Sequence, residues 1–174
     1  SADPALLSSY AYLLGVLSSW ATWFFISKTA QPLRLRSDRW QYRLKAQYMK
    51  HVPIPDAPPA ERSAIAALAE RCNALGTQRY QLEEQVRHRL AQAFGFDDKG
   101  KPLSKLNEKA QEWWEQPMNG LGDALKQCFK LKRNPFANPT AADEWEPYLT
   151  GKKGEVDALR RQLADAEAEI NDRV

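Results

Sequence analysis

Between His51 and Arg62 the chain reads HVPIPDAPPAER, and no other stretch limits the fold as strongly. Pro53 and Pro55 each remove an amide donor and hold the backbone extended. Pro58 and Pro59 suit the first turn of a helix, where amide donors are free in any case. A helix therefore starts near residue 58, and Ile65, Leu68, Cys72, Leu75, Leu82, Val86, Leu90 and Phe94 continue it mostly at steps of three or four. The pattern carries about 35 residues before GFDDKGKP breaks it. Gly76 and Arg79 interrupt the stripe midway, where a modest kink or a polar contact would fit.

A helix of this length needs a partner for its apolar side. GEVDALRRQLADAEAEINDRV places Val156, Leu159, Leu163, Ala166, Ile170 and Val174 at steps of three and four, a heptad-like seam. Its simplest use is an antiparallel pair with the helix over residues 60–94; a homodimer through the C-terminal helix is the alternative. Between them, residues 103–149 read as three short helices, LSKLNEKAQEWWEQ, GLGDALKQCFKL and AADEWEPYL, divided by Pro117, Gly120, Pro135 and Pro139. Trp113, Trp114, Phe129, Phe136, Trp145 and Tyr148 would give them a small satellite core.

The N-terminal stretch PALLSSYAYLLGVLSSWATWFFIS carries no charged side chain from Pro4 to Ser27, long enough to span a bilayer. Serines, a threonine and a glycine dilute it, and no basic region precedes it. Leu6, Leu13, Leu14, Leu17, Trp20 and Phe24 favour one side, which suits a core helix from about Ala5 to Lys28 that buries that side and ends before Pro32. No membrane partner is expected on this reading.

Residues 33–44, LRLRSDRWQYRL, change period. Leu33 and Leu35, then Trp40, Tyr42 and Leu44, alternate with polar neighbours, the mark of two short strands or a hairpin arm showing Arg39, Gln41 and Arg43 on one face. Trp40 and Tyr42 belong mainly to the core on this pattern. Residues 28–51 hold seven Lys and Arg against one acid, Asp38, a window of +6 in a chain of net +3. Charge so concentrated points to an anionic partner, first of all the phosphate backbone of a nucleic acid; a solvated basic loop is the plain alternative.

Little else suggests chemistry. Cys72 and Cys128 are too far apart for a zinc site or a disulfide framework and read as reduced core thiols of a cytoplasmic protein. His51 and His88 are solitary, so no metal is expected. Asn134-Pro135-Phe136 is one proline short of the motif with which adenine-specific methyltransferases hold a flipped base. It lies between two predicted helices with no glycine-rich cofactor turn before it, so a helix-terminating turn fits better. The acids of AADEWE suit a helix N-terminus. No nucleophile motif or phosphate-cradling loop is present, and no catalytic residue is assigned.

The order of parts in LLGVLSSWATWFFISKTAQPLRLRSDRWQYRLKAQYMKHVPIPDAPPAERSAIAALAERC resembles the target-recognition region downstream of the methyltransferase domain in adenine-specific restriction-modification enzymes of the type IIG and TaqI-like kind. Specificity subunits of type I systems look similar around VPIP, and LNEKAQEWW, DEWEPYL and EAEINDRV resemble the helical tail of such enzymes. The resemblance implies a non-catalytic fragment of a longer parent. It lacks the methyltransferase core, holds no cofactor itself, and stops at INDRV, where that family continues. S-adenosylmethionine would bind elsewhere in the parent. The implied partners are double-stranded DNA and the methyltransferase domain of the same chain. A basic strand-loop surface, fixed by Pro-Ile-Pro to a rigid helix, would meet DNA through Arg34, Arg36, Arg39, Gln41, Arg43 and Lys45. Arginine reads guanine and glutamine adenine, while lysine more often neutralises phosphate; Trp40, Tyr42 and Tyr48 are candidates for stacking on bases.

The expected fold is mostly α with a small β element (α+β), a long helical pair supporting the basic strand-loop region, plus a small helical subdomain. Residues 1–57 would form the apolar helix and strand-loop part, and residues 58–174 the rest, in one folded unit. The competing function is a helical protein–protein interaction module of a bacterial defence complex, favoured if the apolar seam over residues 156–174 is exposed.

Overall fold

The structure, a computed structural model, describes residues 4–36, 39–96 and 105–174; the side chains of residues 4–7, 36 and 39 also lie outside the description. It is mostly α with one small sheet. The elements in order are α1 (Pro4–Ser18), α2 (Trp20–Thr29), β1 (Pro32–Arg36), β2 (Arg39–Tyr42), α3 (Ala46–Met49), α4 (Pro59–Phe94), α5 (Glu108–Gln111), α6 (Met118–Phe129) and α7 (Pro139–Arg173). Short 3-10 turns cover Trp113–Glu115 and Pro135–Ala137. The chain forms two compact units, Ser1–Leu75 with Gln162–Val174, and Gly76–Arg161.

In the first unit, the apolar N-terminal stretch is two helices where one was expected. Ser19 takes extended backbone (φ −72°, ψ 159°) and caps α2, its Oγ accepting from the Thr22 amide at 3.3 Å. The same hydroxyl donates to the Val16 carbonyl at 2.7 Å, and Thr22 Oγ1 donates to that carbonyl at 2.8 Å. Serine and threonine here satisfy the free ends of a buried break, which is why a long uncharged run stops being one helix. No helix among the described residues is long and apolar enough to cross a membrane.

The buried side of this helix pair also differs from the expected one. Ala11, Tyr12, Val16, Ser19, Thr22, Ile26 and Ala30 are inside, whereas Leu14, Leu17, Trp20 and Phe24 are exposed. Close packing selects the small face: a Cβ on Gly15 would lie 2.7 Å from Ile65 Cγ2 and 3.5 Å from Ala69 Cβ of α4. Large side chains on that face would hold the helices apart, so they turn outward.

The proline segment is fastened at both ends. Val52 is buried beside Ile26 and Ala30. The Tyr12 hydroxyl donates to the Pro55 carbonyl at 2.6 Å, and Arg62 in α4 donates to the Ala57 carbonyl at 2.8 Å. Arg62 also pairs with Asp56 at 2.5 Å and lies over the Tyr12 ring, 5.6 Å from its centre. Near the start of α4, Arg173 of α7 reaches Glu61 at 3.0 Å.

The second unit holds the larger core. Val86, Leu90, Leu121, Leu125, Phe129 and Val156 are at most 2% exposed, packed with Trp113, Trp114, Phe136, Trp145 and Leu149. The aromatic residues expected to form a satellite core are thus central, each buried ring contributing about 1.5–3 kcal/mol or more. Phe94 stands 5.3 Å from Trp145, while Arg87 and Arg160 both lie over Trp114, so the α4 and α7 segments of this unit run antiparallel as expected. Arg79 and Arg87 flank the buried Glu83 at 3.4 Å each, the polar contact expected where the apolar stripe weakens.

The expected separation of AADEWEPYL from the C-terminal helix does not occur. Helix α7 runs 35 residues through Pro147. Pro147 and Asp143, whose carbonyl loses its partner, are both exposed, so water can take the freed acceptor. Trp145 and Leu149, on the opposite face, are buried and hold the helix together across the proline. In the C-terminal seam Val156, Ala166 and Ile170 are buried, and Leu159, Leu163 and Val174 half-buried. The predicted break over residues 97–102 and the start of the next helix at 103 lie outside the described residues.

Candidate nucleic-acid interface

Strands β1 and β2 form an antiparallel ribbon with Arg34 opposite Gln41, Leu35 opposite Trp40, and Arg36 opposite Arg39 in the backbone register. The alternation read from the sequence is therefore real. A register irregularity between Pro32 and Arg34 bends its base, where Tyr42 pairs with Pro32 and the Arg43 amide bonds the Gln31 carbonyl at 3.1 Å. Tyr42, Tyr48 and Met49 pack around Ile26, Ala30 and Val52. The ribbon thus stands on α2, α3 and the start of the proline segment.

Arg34 and Gln41 share one face, with Arg34 Nε donating to Gln41 Oε1 at 2.8 Å. This bond orients the guanidinium and uses neither of its terminal nitrogens, the pair that reads guanine or grips a phosphate. Gln41 Oε1 accepts from Arg34 and keeps a second lone pair, while its amide nitrogen remains a donor. Arg34, Arg43 and Lys45 are exposed and Gln41 is half-buried. For Arg36 and Arg39 the structure fixes the register alone. Among the described residues, none of Lys28, Arg34, Arg43, Lys45 and Lys50 is in an ion pair.

The opposite side of the ribbon corrects another expectation. Trp40 is 52% exposed, not core, because nothing among the described residues covers Leu35 and Trp40. Tyr42 is half-buried and meets the edge of Trp23 at 5.7 Å between ring centres. Trp20, Trp23, Trp40 and Tyr42 line a groove of about 550 Å³. Reasoning from the sequence missed Trp20 and Trp23 as surface groups; the signal was the Gly15, Ser19, Thr22 series, whose small side chains mark the packed face.

The second unit gives the Asn-Pro-Phe segment a structural task. Asn134 Oδ1 accepts from the Phe136 amide at 2.9 Å, and its Nδ2 donates to the Asn119 carbonyl and to Asp123. Phe136 is buried at the edge of Phe94. It is the turn that leads into α7. Among the described residues no group of three or more His, Cys, Asp or Glu is placed to hold a metal ion. Burial, then the charge of Glu167, raises the pKa of the half-buried Cys72 thiol against the weaker pull of Arg71. That disfavours the reactive thiolate.

No curated protein and no solved structure matches this chain. Residues 58–174, more than half of the chain, match the family described as a domain of unknown function, DUF8810, a match that begins at the first turn of α4 and after the basic ribbon. The chain belongs to the DUF8810 family.

Proposed function

We propose that this chain is the DNA target-recognition region of an adenine-specific DNA methyltransferase or fused restriction-modification enzyme, acting in the cytoplasm and carrying no catalysis of its own. The observation that carries the reading is the ribbon: two antiparallel strands with exposed cations, no ion pair to them among the described residues, and an arginine pre-oriented by a glutamine. A two-stranded ribbon fits the major groove, where arginine tells bases apart, and the neighbouring cations set position on the phosphates. The fastened proline segment supports the same reading, since a base reader must be held rigidly. S-adenosylmethionine and the reacting adenine belong to the methyltransferase domain of the parent.

The test is methyl transfer from S-adenosylmethionine to mixed-sequence DNA by the parent, with and without residues 1–174. Site-specific methylation is expected to disappear on deletion while cofactor binding persists; site choice that survives deletion contradicts the reading. Arg34→Ala, Arg39→Ala and Arg43→Ala should each relax or weaken site choice by about 1–3 kcal/mol where a base contact is lost. Gln41→Ala should act in the same direction through Arg34. A second reading, a protein–protein interaction module of a defence complex, draws on the exposed Leu14, Leu17, Leu33, Leu35 and Leu44.

A further inference from the structure

The aromatic groove is not explained by a ribbon that only reads a closed duplex. Its four lining side chains, Trp20, Trp23, Trp40 and Tyr42, are all aromatic. Trp20 is 72%, Trp40 52% and Trp23 46% exposed, although each ring would gain by burial. The nearest formal charges along the chain are cationic: Arg43 follows Tyr42, and Lys28 lies 5.4 Å from the centre of the Phe24 ring, next to Trp23. From Pro4 to Pro55 the sole acid is Asp38.

Exposed aromatic faces with cations next to them in the chain form the chemistry that holds unpaired nucleic acid strands. Each base has a π face that stacks on an indole, and the cations follow its phosphates. We propose that the Trp20, Trp23, Trp40 and Tyr42 groove holds unstacked bases of a DNA strand beside the basic ribbon, so that the chain prefers locally opened DNA to closed duplex. The inference rests on the DNA reading above and adds to it a class of DNA structure. Glu167 lines the pocket on the other side of Trp20, but the chain around the groove is cationic at Lys28 and Arg43, and this excess favours an anionic strand over a second copy of the same basic segment.

Fluorescence anisotropy with three labelled DNAs tests it: a closed duplex, the same duplex with a central unpaired bubble, and that bubble with its bases replaced by abasic sites. The bubble is expected to bind about 5- to 150-fold more tightly than the closed duplex, with the abasic bubble close to the duplex. Trp40→Ala and Trp20→Ala, each checked for an unchanged melting temperature, should remove the bubble preference and leave duplex binding intact. Equal binding of bubble and duplex, or equal weakening of all three DNAs in both variants, overturns this inference while leaving the DNA reading standing. Failure of all three to bind overturns both. Binding to phosphatidylcholine/phosphatidylserine vesicles in preference to every DNA, or a dimer that shields Trp20 and Trp40 from quencher, assigns the groove to lipid or to protein and overturns it as well.

Discussion

The two units place their tryptophans in opposite ways. In the unit over residues 76–161, Trp113, Trp114, Phe129, Phe136 and Trp145 are buried and make the core. In the unit of residues 1–75 with 162–174, Trp20, Trp23, Phe24 and Trp40 face outward, while Ala11, Val16, Ser19, Thr22 and Ala30 fill the inside. Buried rings hold a fold together; exposed rings on a closely packed support are available to a partner. The first pattern builds a core, the second leaves rings open to solvent, and the basic ribbon lies in the unit that has the second.

The comparison breaks most visibly at the buried rings. Phe129→Ala should cost about 3–5 kcal/mol in urea denaturation, while Trp20→Ala, removing a larger ring, should change stability by less than about 1 kcal/mol. Comparable losses would mean that the outward rings are structural after all. Next come the glycines. Gly15→Val pushes against Ile65, which is 1% exposed, and should destabilise by about 1–3 kcal/mol. Gly76→Ala, with nothing within 4 Å of the added Cβ, should instead stabilise α4 by about 0.4–1 kcal/mol in the same assay. A stabilising Gly15→Val would remove the reason for the small inner face.

Ser19→Ala deletes the cap between α1 and α2 and should cost about 1 kcal/mol; a neutral result would show that the break survives without it. The smallest effect belongs to the surface pair of the second unit. The Arg160 hydrogen bond to Glu115 outweighs the opposing effect of desolvation and, with the charge of Arg160 and with Trp114 and Lys153, holds the Glu115 carboxyl below the usual glutamate range. A depressed carboxyl pKa contributes stability above the unfolded value, and that contribution fades as pH falls through the folded one. Wild type and Glu115→Gln should therefore differ slightly at neutral pH and converge in acid. A difference that grows in acid would reverse the assignment.

Local chemistry made much of this fold legible. Pro58 and Pro59 with the run from Ile65 to Phe94 define α4 to within a residue or two, and alternation from Leu33 to Leu44 places the two strands. Errors arose where tertiary packing overrides composition. Leu14, Leu17, Trp20 and Phe24 look like a buried stripe until Gly15 is seen against Ile65, and Pro147 looks like a helix end until Trp145 and Leu149 are seen bridging it. Trp40 follows the right period but is half exposed, with no layer above it among the described residues, and no periodicity reports whether a second layer exists. At the candidate site the chain order brings Arg34 near Gln41, yet the 2.8 Å bond that makes one orient the other depends on register, which only the folded ribbon supplies.

Duplex DNA affinity of the chain as a function of salt is the most direct measurement of the central claim. If the ribbon meets DNA through its exposed cations, log K falls linearly with log salt, and Arg34→Ala and Arg43→Ala each lower the slope by about 1. Binding that ignores salt, or a slope that neither substitution changes, would contradict a DNA-facing ribbon.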